Sequence, residues 1–489
     1  MESQRILPPE VISHILSFLS PQEVVWLRVV SKQFRDISYD RAIWTTLYRN
    51  APLPRPPGPF PSQTVQFLER TLVQSERLAH SWTTQPMEEI SSVGIRPHGA
   101  LDFYAIVYGR WLIGCERYSK VKIVAYDLEA GSHPYQVLWE HYMHYSCDAC
   151  PVVSSSGPLV HVLFTADSSS WKLLEFRVNG NSFHHTFTLD IPSAQLELEA
   201  SVMIYGGHSP FSYIKSFSSR EKIIFNVETR SFYKFPPFES ELANTDQPSS
   251  HVVLTNTHVI SFFPHTRTGF DRASSTLVRA FTAPADSQLH NGTGILRLSH
   301  EGVIPNCNVY NNADLIRNSI VDAESGTINI RLLHQTFNGK AMQNLHMSCI
   351  DLMLPKHSST DIILPMTIDL HDITDVHVPR NSYFTGSHEC SIDFSDDGHV
   401  RGFYHFFAPR GILGRLSHSI MQFTIDASRD RCVADLGPIL TPRWHQVGDL
   451  SDAMRIFFDG VRGRICYDRR YIRGANTGIY EAALVVNIK

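Results

Sequence analysis

Cys147 and Cys150, in the run Cys147-Asp148-Ala149-Cys150, have a spacing that can do chemistry, and His141 and His144 lie beside them. Thiols and imidazoles at such spacing serve zinc binding or thiol redox. Zinc needs a second ligand pair, and redox needs a thioredoxin-like βαβ context. Neither follows in the chain, so a loop with two cysteines and no metal is the expectation. His184-His185 sits in a strand-like run, where alternation sends the two rings to opposite faces and prevents joint ligation. Gly206-Gly207 and Gly292-Thr293-Gly294 read as turn glycines, because no G-x-x-x-x-G-K-[ST] phosphate loop accompanies them. No G-x-S-x-G hydrolase elbow is present either. Glycoside hydrolysis would need paired carboxylates. The candidates Asp322, Asp396 and Asp397 instead fall where hairpins must reverse, and turn geometry accounts for them. No residue is therefore assigned to catalysis, to a cofactor or to a metal.

The elements that would hold any site follow from length and composition. A chain of 489 residues is too long for one ordinary core, so two or more domains are expected. Hydrophobic residues at 43% and charged residues at 19% give a globular balance. Lys and Arg (43) nearly match Asp and Glu (48), so no basic excess is present to hold nucleic acid. No apolar run approaches a membrane span. The polar opening Glu2-Ser3-Gln4 and the prolines after it do not read as a secretory signal. Eight scattered cysteines are not a disulfide scaffold, and the sequon at Asn291 then reads as accidental. An intracellular, reducing setting is the expectation.

Leu7-Pro8-Pro9-Glu10 opens a first helix, with proline at its start and an acid in its first turn. Val11, Ile12, Ile15, Leu16 and Leu19 give it one apolar face. Ser20-Pro21-Gln22-Glu23 is a capping-box signature for a second helix, whose buried side is read as Val24, Val25, Leu27 and Val29. Ser31 caps a third, carrying Phe34 and Ile37. Trp44, Leu47 and Tyr48 follow the polar turn at Asp40.

This stretch, LPPEVISHILSFLSPQEVVWLRVVSKQFRDISYDRAIW, resembles the F-box. The likeness lies in the Leu-Pro-Pro-Glu opening, the Ile-Leu-x-Phe-Leu run, Leu27 to Lys32 before Phe34, and the closing Trp. Val30 stands where many F-boxes carry Cys. The resemblance implies docking onto a Skp-type adaptor, and through it onto cullin and RING subunits. The apolar set it implies for that role is Leu7, Pro8, Ile12, Ile15, Leu16, Leu19, Leu27, Val30, Phe34 and Trp44. A module of roughly forty residues cannot bury so many apolar side chains alone. The alternative is a helical cap that buries them on its own C-terminal domain.

The expected organisation is multidomain: a small all-α F-box over 4–49, a Pro-rich linker over 50–61, a stalk helix over 62–89 and a large all-β domain over 90–489. APLPRPPGPFP forbids helix and reads as an extended, semi-rigid spacer, with an SH3-type ligand as the lesser alternative. Ser62 is the expected cap of the stalk helix, whose apolar side is Val65, Leu68, Leu72 and Ala79. Glu76-Arg77-Leu78 with Trp82 is similar to the linker helix of fungal F-box proteins that end in a β-rich domain. Beyond Ile90 a strand–turn–strand unit recurs: at Lys122, Lys172 and Lys222, and again near Asp322, Asp396, Asp426 and Asp459. Hairpins at that period are what propeller blades require. A degenerate β-propeller of seven or eight blades is the expectation, against a sandwich or solenoid.

The chain thus reads as the substrate-recognition subunit of an SCF-type ubiquitin ligase, non-catalytic and without cofactor, binding an adaptor and an unidentified target protein. The alternatives are a scaffold on the same adaptor and a propeller-type enzyme.

Overall fold

The structure, a computed structural model, describes residues 7–83 and, between 89 and 488, the strands with most of their short turns. The longer connections, among them 192–201, 237–250, 378–389, 441–455 and 469–482, fall outside the described residues.

Four helices form the N-terminal module: α1 (Pro9–Leu16), α2 (Pro21–Leu27), α3 (Lys32–Ile37) and α4 (Arg41–Asn50). Side-chain caps set the starts of three of them. Ser20 Oγ accepts from Glu23 N at 3.3 Å while Glu23 returns the bond to Ser20 N at 2.8 Å, so the capping box is complete. Ser31 caps α3 and Asp40 caps α4. The stalk helix α5 (Val65–Ser81) is capped by Thr64, not Ser62. Its second buried side departs from the sequence pattern. Leu68, Leu72 and Val73 join the module core, while Thr71, Ser75 and Leu78 are also buried and Ala79 is exposed.

The proline segment is not a free spacer. Pro54, Arg55 and Pro56 are buried between α4 and α5. Tyr48 donates to the Pro56 carbonyl at 2.7 Å and Ser75 to the Pro54 carbonyl at 2.8 Å. The two prolines bring no N–H to satisfy, and the buried Arg55 guanidinium donates to the Ala51 carbonyl at 2.6 Å and the Leu53 carbonyl at 2.9 Å.

The rest of the described chain is strand. β1 (Glu89–Ile95) is held over for the last sheet. Blade 1 is β2 (Ala100–Val107), β3 (Trp111–Arg117), β4 (Val121–Asp127) and β5 (Tyr135–His141). Blade 2 is β6 (Ser146–Ser154), β7 (Gly157–Thr165), β8 (Trp171–Asn179) and β9 (Ser182–Ile191). Blade 3 is β10 (Val202–Tyr205), β11 (Phe211–Ser216), β12 (Lys222–Asn226) and β13 (Ser231–Lys234). Blade 4 is β14 (His251–Leu254), β15 (Val259–His265), β16 (Ser275–Thr282) and β18 (Arg297–Ile304); β17 (Thr293–Ile295) leaves it to pair in parallel with β13. Blade 5 is β19 (Ala313–Val321), β20 (Ile328–Asn338), β21 (Asn344–Leu354) and β23 (Thr367–His377), with β22 (Leu364–Pro365) added in parallel to β18. Blade 6 is β24 (Cys390–Phe394), β25 (His399–Arg410), β26 (Arg415–Asp426) and β27 (Val433–Leu440). Blade 7 joins β28 (Ile456–Asp459), β29 (Arg464–Asp468) and β30 (Ala483–Ile488) to β1 as its outer strand.

Packing between neighbouring blades runs β2 to β6, β6 to β10, β11 to β14, β14 to β19, β19 to β25, β24 to β28, and from β28 back to β2. The sheets close a seven-membered ring, a β-propeller among the described residues. The cores lie between blades. Val107, Ile113 and Ile123 of blade 1 meet Val160, Val162 and Phe176 of blade 2, and Ile214 and Phe225 of blade 3 meet Leu163 and Trp171. Gly398 shows why a turn glycine was needed between β24 and β25. Its φ is +93°, and a β-carbon there would collide with the Ala427 carbonyl.

Candidate docking surface of the helical module

The module core holds Ile12, Leu16, Val24, Ile43, Trp44, Leu47 and Tyr48 together with Leu53, Leu68 and Leu72. Trp44 is fully buried, and its Nε1 donates to the Ser38 carbonyl at 2.7 Å. A buried indole is kept where its N–H finds such a partner. Arg28 makes a two-pronged bond to Glu69 of α5 at 2.7 and 2.8 Å, and its Nε donates to Ser38 Oγ at 2.8 Å. Glu76 accepts from the Gln22 backbone N–H at 2.8 Å. Charge-assisted bonds of this kind fix α5 to α2 in angle as well as position.

The other side of the module is uncovered. Leu7, Val11, Ile15, Phe18, Trp26, Val29 and Val30 are exposed, Phe18 by 76% and Val29 by 90%. Val29 was expected on the buried side of α2. That helix ends at Leu27, so Val29 falls in the turn after it and points outward. Of the residues implied for adaptor contact, Leu7, Pro8, Ile15 and Val30 are exposed. Leu19, Leu27 and Phe34 are half-buried, and Ile12, Leu16 and Trp44 lie inside the core. Phe18, Trp26 and Val29 were missed as surface residues: Phe18 stands three positions after Ile15 and Val29 four after Val25, so helical spacing gave no sign that they face outward.

The stalk ties this surface to the ring. Trp82 is buried just past α5, and its Nε1 donates to the carbonyls of Phe423 at 2.9 Å and Gly402 at 3.2 Å. Arg401 reaches back to the Ser75 carbonyl at 3.0 Å and also bonds the Gly460 carbonyl. Glu129, after β4, pairs with Arg70 of α5 at 3.1 Å and with Arg462 of blade 7 at 2.6 Å. The helix therefore engages blades 6, 7 and 1, on the face carrying the β2–β3, β4–β5 and β28–β29 turns.

Residues 5–50 match the family model described as F-box-like. The N-terminal module is an F-box-like domain. No curated protein matches the chain in sequence. Among solved structures, the chain is similar to U3-55K at 12% identity and a TM-score of 0.39, covering 82% of this chain and all of that one. It is similar to the WD40 domain of SCAP from fission yeast at 8% identity and a TM-score of 0.37, covering 81% of this chain and 98% of that one. Drosophila semaphorin 1a, extracellular domains 1-2, gives 10% identity and a TM-score of 0.40, over 82% and 88% of the two chains. The blade topology rests on the strand pairing above and not on these likenesses.

Cys147 packs in the core between blades 1 and 2, and Cys150 in the core between blades 2 and 3. One strand, β6, carries both, and odd spacing sends the thiols to opposite faces. His184 and His185 are exposed; His184 is bonded to Ser182 and His185 to Thr188. Thr293-Gly294 lies in strand β17, where a turn was expected, because the segment crosses to pair with β13. Asp322 holds its turn, accepting from Ser325 Oγ at 2.7 Å; Asp396, Asp397 and Asn291 lie outside the described residues. Cys349 and Cys432 form a disulfide between blades 5 and 6, which their separation of 83 residues gave no means of foreseeing. Among the described residues no group of three or more His, Cys, Asp or Glu is arranged to hold a metal, and no helix is long and apolar enough to cross a membrane.

Proposed function

We propose that the chain is the substrate-recognition subunit of an SCF-type (Skp–cullin–F-box) E3 ubiquitin ligase. The observation that carries this reading is the exposed apolar set Leu7, Val11, Ile15, Phe18, Trp26, Val29 and Val30 on one small module. So many exposed large apolar side chains on so small a module mark an interaction site, and on an F-box-like domain the partner is a Skp-type adaptor. Ile12, Leu16 and Trp44 then shape the surface from within, while Leu7, Pro8, Ile15 and Val30 touch the adaptor. Cullin and RING subunits follow through the adaptor, in the cytoplasm or nucleus.

The ring would hold the target. The stalk occupies one of its faces, which leaves the face of the β3–β4 and β5–β6 connections for recognition. No residue of this chain performs chemistry under this reading. The ubiquitin-bearing E2 is held by the RING subunit, and this protein contributes proximity.

Co-purification with a Skp-type adaptor and a cullin tests the proposal. Wild type should recover both, and a Leu7→Asp/Ile15→Asp/Val30→Asp variant neither. Equal recovery by the two proteins would sink it, and adaptor without cullin would leave a scaffold in place of a ligase.

A further inference from the structure

The β2–β3 hairpin of blade 1 turns through Tyr108 and Gly109, both at positive φ (+53° and +63°). Glycine is needed at 109 because a β-carbon there would collide with the guanidinium of Arg462, which comes across from the β28–β29 turn of blade 7. Arg110 follows in the hairpin, and Arg70 comes from α5. Three arginines from three elements thus converge on one carboxylate, Glu129, with Arg462 at 2.6 Å, Arg70 at 3.1 Å and Arg110 at 4.0 Å. All four residues line a cavity of about 280 Å³ between the start of α5 and blades 1, 2 and 7.

The charges on this wall are unevenly matched. Arg110 is held by Asp127 through two bonds of 2.6 and 2.9 Å. Arg70 and Arg462 are left to share Glu129. Asp459 stands 3.9 Å from Arg462 and also interacts with Arg464. The Arg462 side chain is only 3% exposed, and its Nε and Nη1 have no hydrogen-bond partner among the described residues. Its close contact with Glu129 is an ion pair without hydrogen-bond alignment. A buried cation so sparsely bonded is costly unless a further anion comes near it. The guanidinium charge is delocalised, so that anion need not touch the two orphaned nitrogens to offset it.

The remaining wall is apolar, with Phe67 of α5, Trp111 of β3 and Val178 of β8. Tyr108 adds its ring alone, because its hydroxyl is already engaged by the Val152 and Leu159 carbonyls at 2.7 and 2.8 Å. An apolar cavity of about 150 Å³ holds one benzene, so this one has room for a ring and a short acid chain. We propose that the cavity binds a small organic acid, a carboxylate carried on an aromatic or similarly apolar body. The carboxylate lies between Arg70 and Arg462, and the body packs on Phe67 and Trp111. A bound acid ties α5 to blades 1 and 7 at once and so stiffens the joint between the F-box-like domain and the ring. The site requires no adaptor, and its existence is independent of ligase activity.

The test uses the full chain at about pH 7.4, where a carboxylic acid is ionised. Hydrocinnamate, its neutral amide and inorganic phosphate are the probes, followed by ligand-observed saturation-transfer NMR. Hydrocinnamate should bind at least about tenfold more tightly than the amide, and Arg70→Met or Arg462→Met should remove most of that preference. Equal binding of acid and amide overturns the proposal. So does displacement of hydrocinnamate by an equal concentration of inorganic phosphate, which would leave an anion site that makes no use of the apolar wall. If the buried Arg462→Met variant does not fold, the exposed Arg70→Met decides. An unchanged preference for the acid in that variant places binding elsewhere and overturns the proposal.

Discussion

Trp44 and Val30 belong to one small module and meet opposite surroundings. Trp44 is enclosed on every side, and truncation to Ala removes its packing and the donor to the Ser38 carbonyl. The expected cost is about 3–5 kcal/mol, enough to unfold so small a core and to lose adaptor capture with it. Val30 is 66% exposed, so Val30→Asp should leave the melting temperature within error and still abolish capture. Melting curves run beside the pull-down separate the two effects. Capture lost only when stability is lost would remove Val30 from the contact surface. A second residue-scale effect concerns pH. Burial first, and the neighbouring His300 second, push the His258 imidazole down to about 4. Its folded value therefore lies below its unfolded value of about 6.5. Nothing is lost above pH 6.5, where both states are neutral. Between about 6.5 and 4 the unfolded chain takes up a proton that the folded chain refuses, and stability falls by on the order of 3 kcal/mol. His258→Gln should flatten that part of a stability-versus-pH curve. An unchanged slope would show that another group sets it.

At the scale of the element, α5 acts as a joint. Its caps and its contacts with α2 hold the F-box-like domain, and Trp82 with Arg401 holds the ring. Trp82→Phe keeps most of the apolar volume but leaves the Gly402 and Phe423 carbonyls without their donor. A cost of about 1–3 kcal/mol is expected. It should appear as faster protease cleavage at the C-terminal end of α5, while the melting of the ring core changes less. Equal cleavage rates in wild type and variant would show that the indole N–H contributes nothing to the joint. The helix starts in this region were legible because capping is local. Ser20 and Ser31 each act on a backbone N–H three residues on, whereas Asp40, read only as a polar turn, proves to cap a fourth helix through the Ala42 N–H. The cap of α5 was misplaced because Ser62 and Thr64 are chemically equivalent candidates, and only the path of the strap chooses between them. That strap read as a spacer because burial of Pro54 to Pro56 depends on Tyr48 and Ser75, contacts made across the fold. The docking surface was half legible. Periodicity separates a helix face from its back, but the stripe that includes Ile12, Leu16 and Ile15 does not say which members face the core.

For the whole molecule, the sequence repeat reflected the ring through two offsetting misreadings. The units near Asp396 and Asp426 are successive hairpins of one blade, β24–β25 and β26–β27. Blade 4 was not seen, because its β14–β15 turn is built from Thr255, whose hydroxyl accepts from His258 N at 2.9 Å, and contains no glycine. Ring closure was out of reach for any local pattern. It pairs β1 with β30 across almost the whole β-domain, Ser92 opposite Val486 and Ile95 opposite Ala483. Such a pairing offsets a large loop entropy once and then removes two free sheet edges. It should hold the ring together as one cooperative unit. A chain lacking residues 483–489 keeps every other blade but leaves β1 with no strand to pair with, and β29 becomes an open edge. Urea unfolding followed by tryptophan fluorescence should lose its single transition and begin at lower denaturant. Limited proteolysis should cut first in blade 7 and then in blades 1 and 6, its two neighbours in the ring. An unaltered midpoint, with cleavage spread evenly around the blades, would mean that inter-blade packing alone keeps the ring shut.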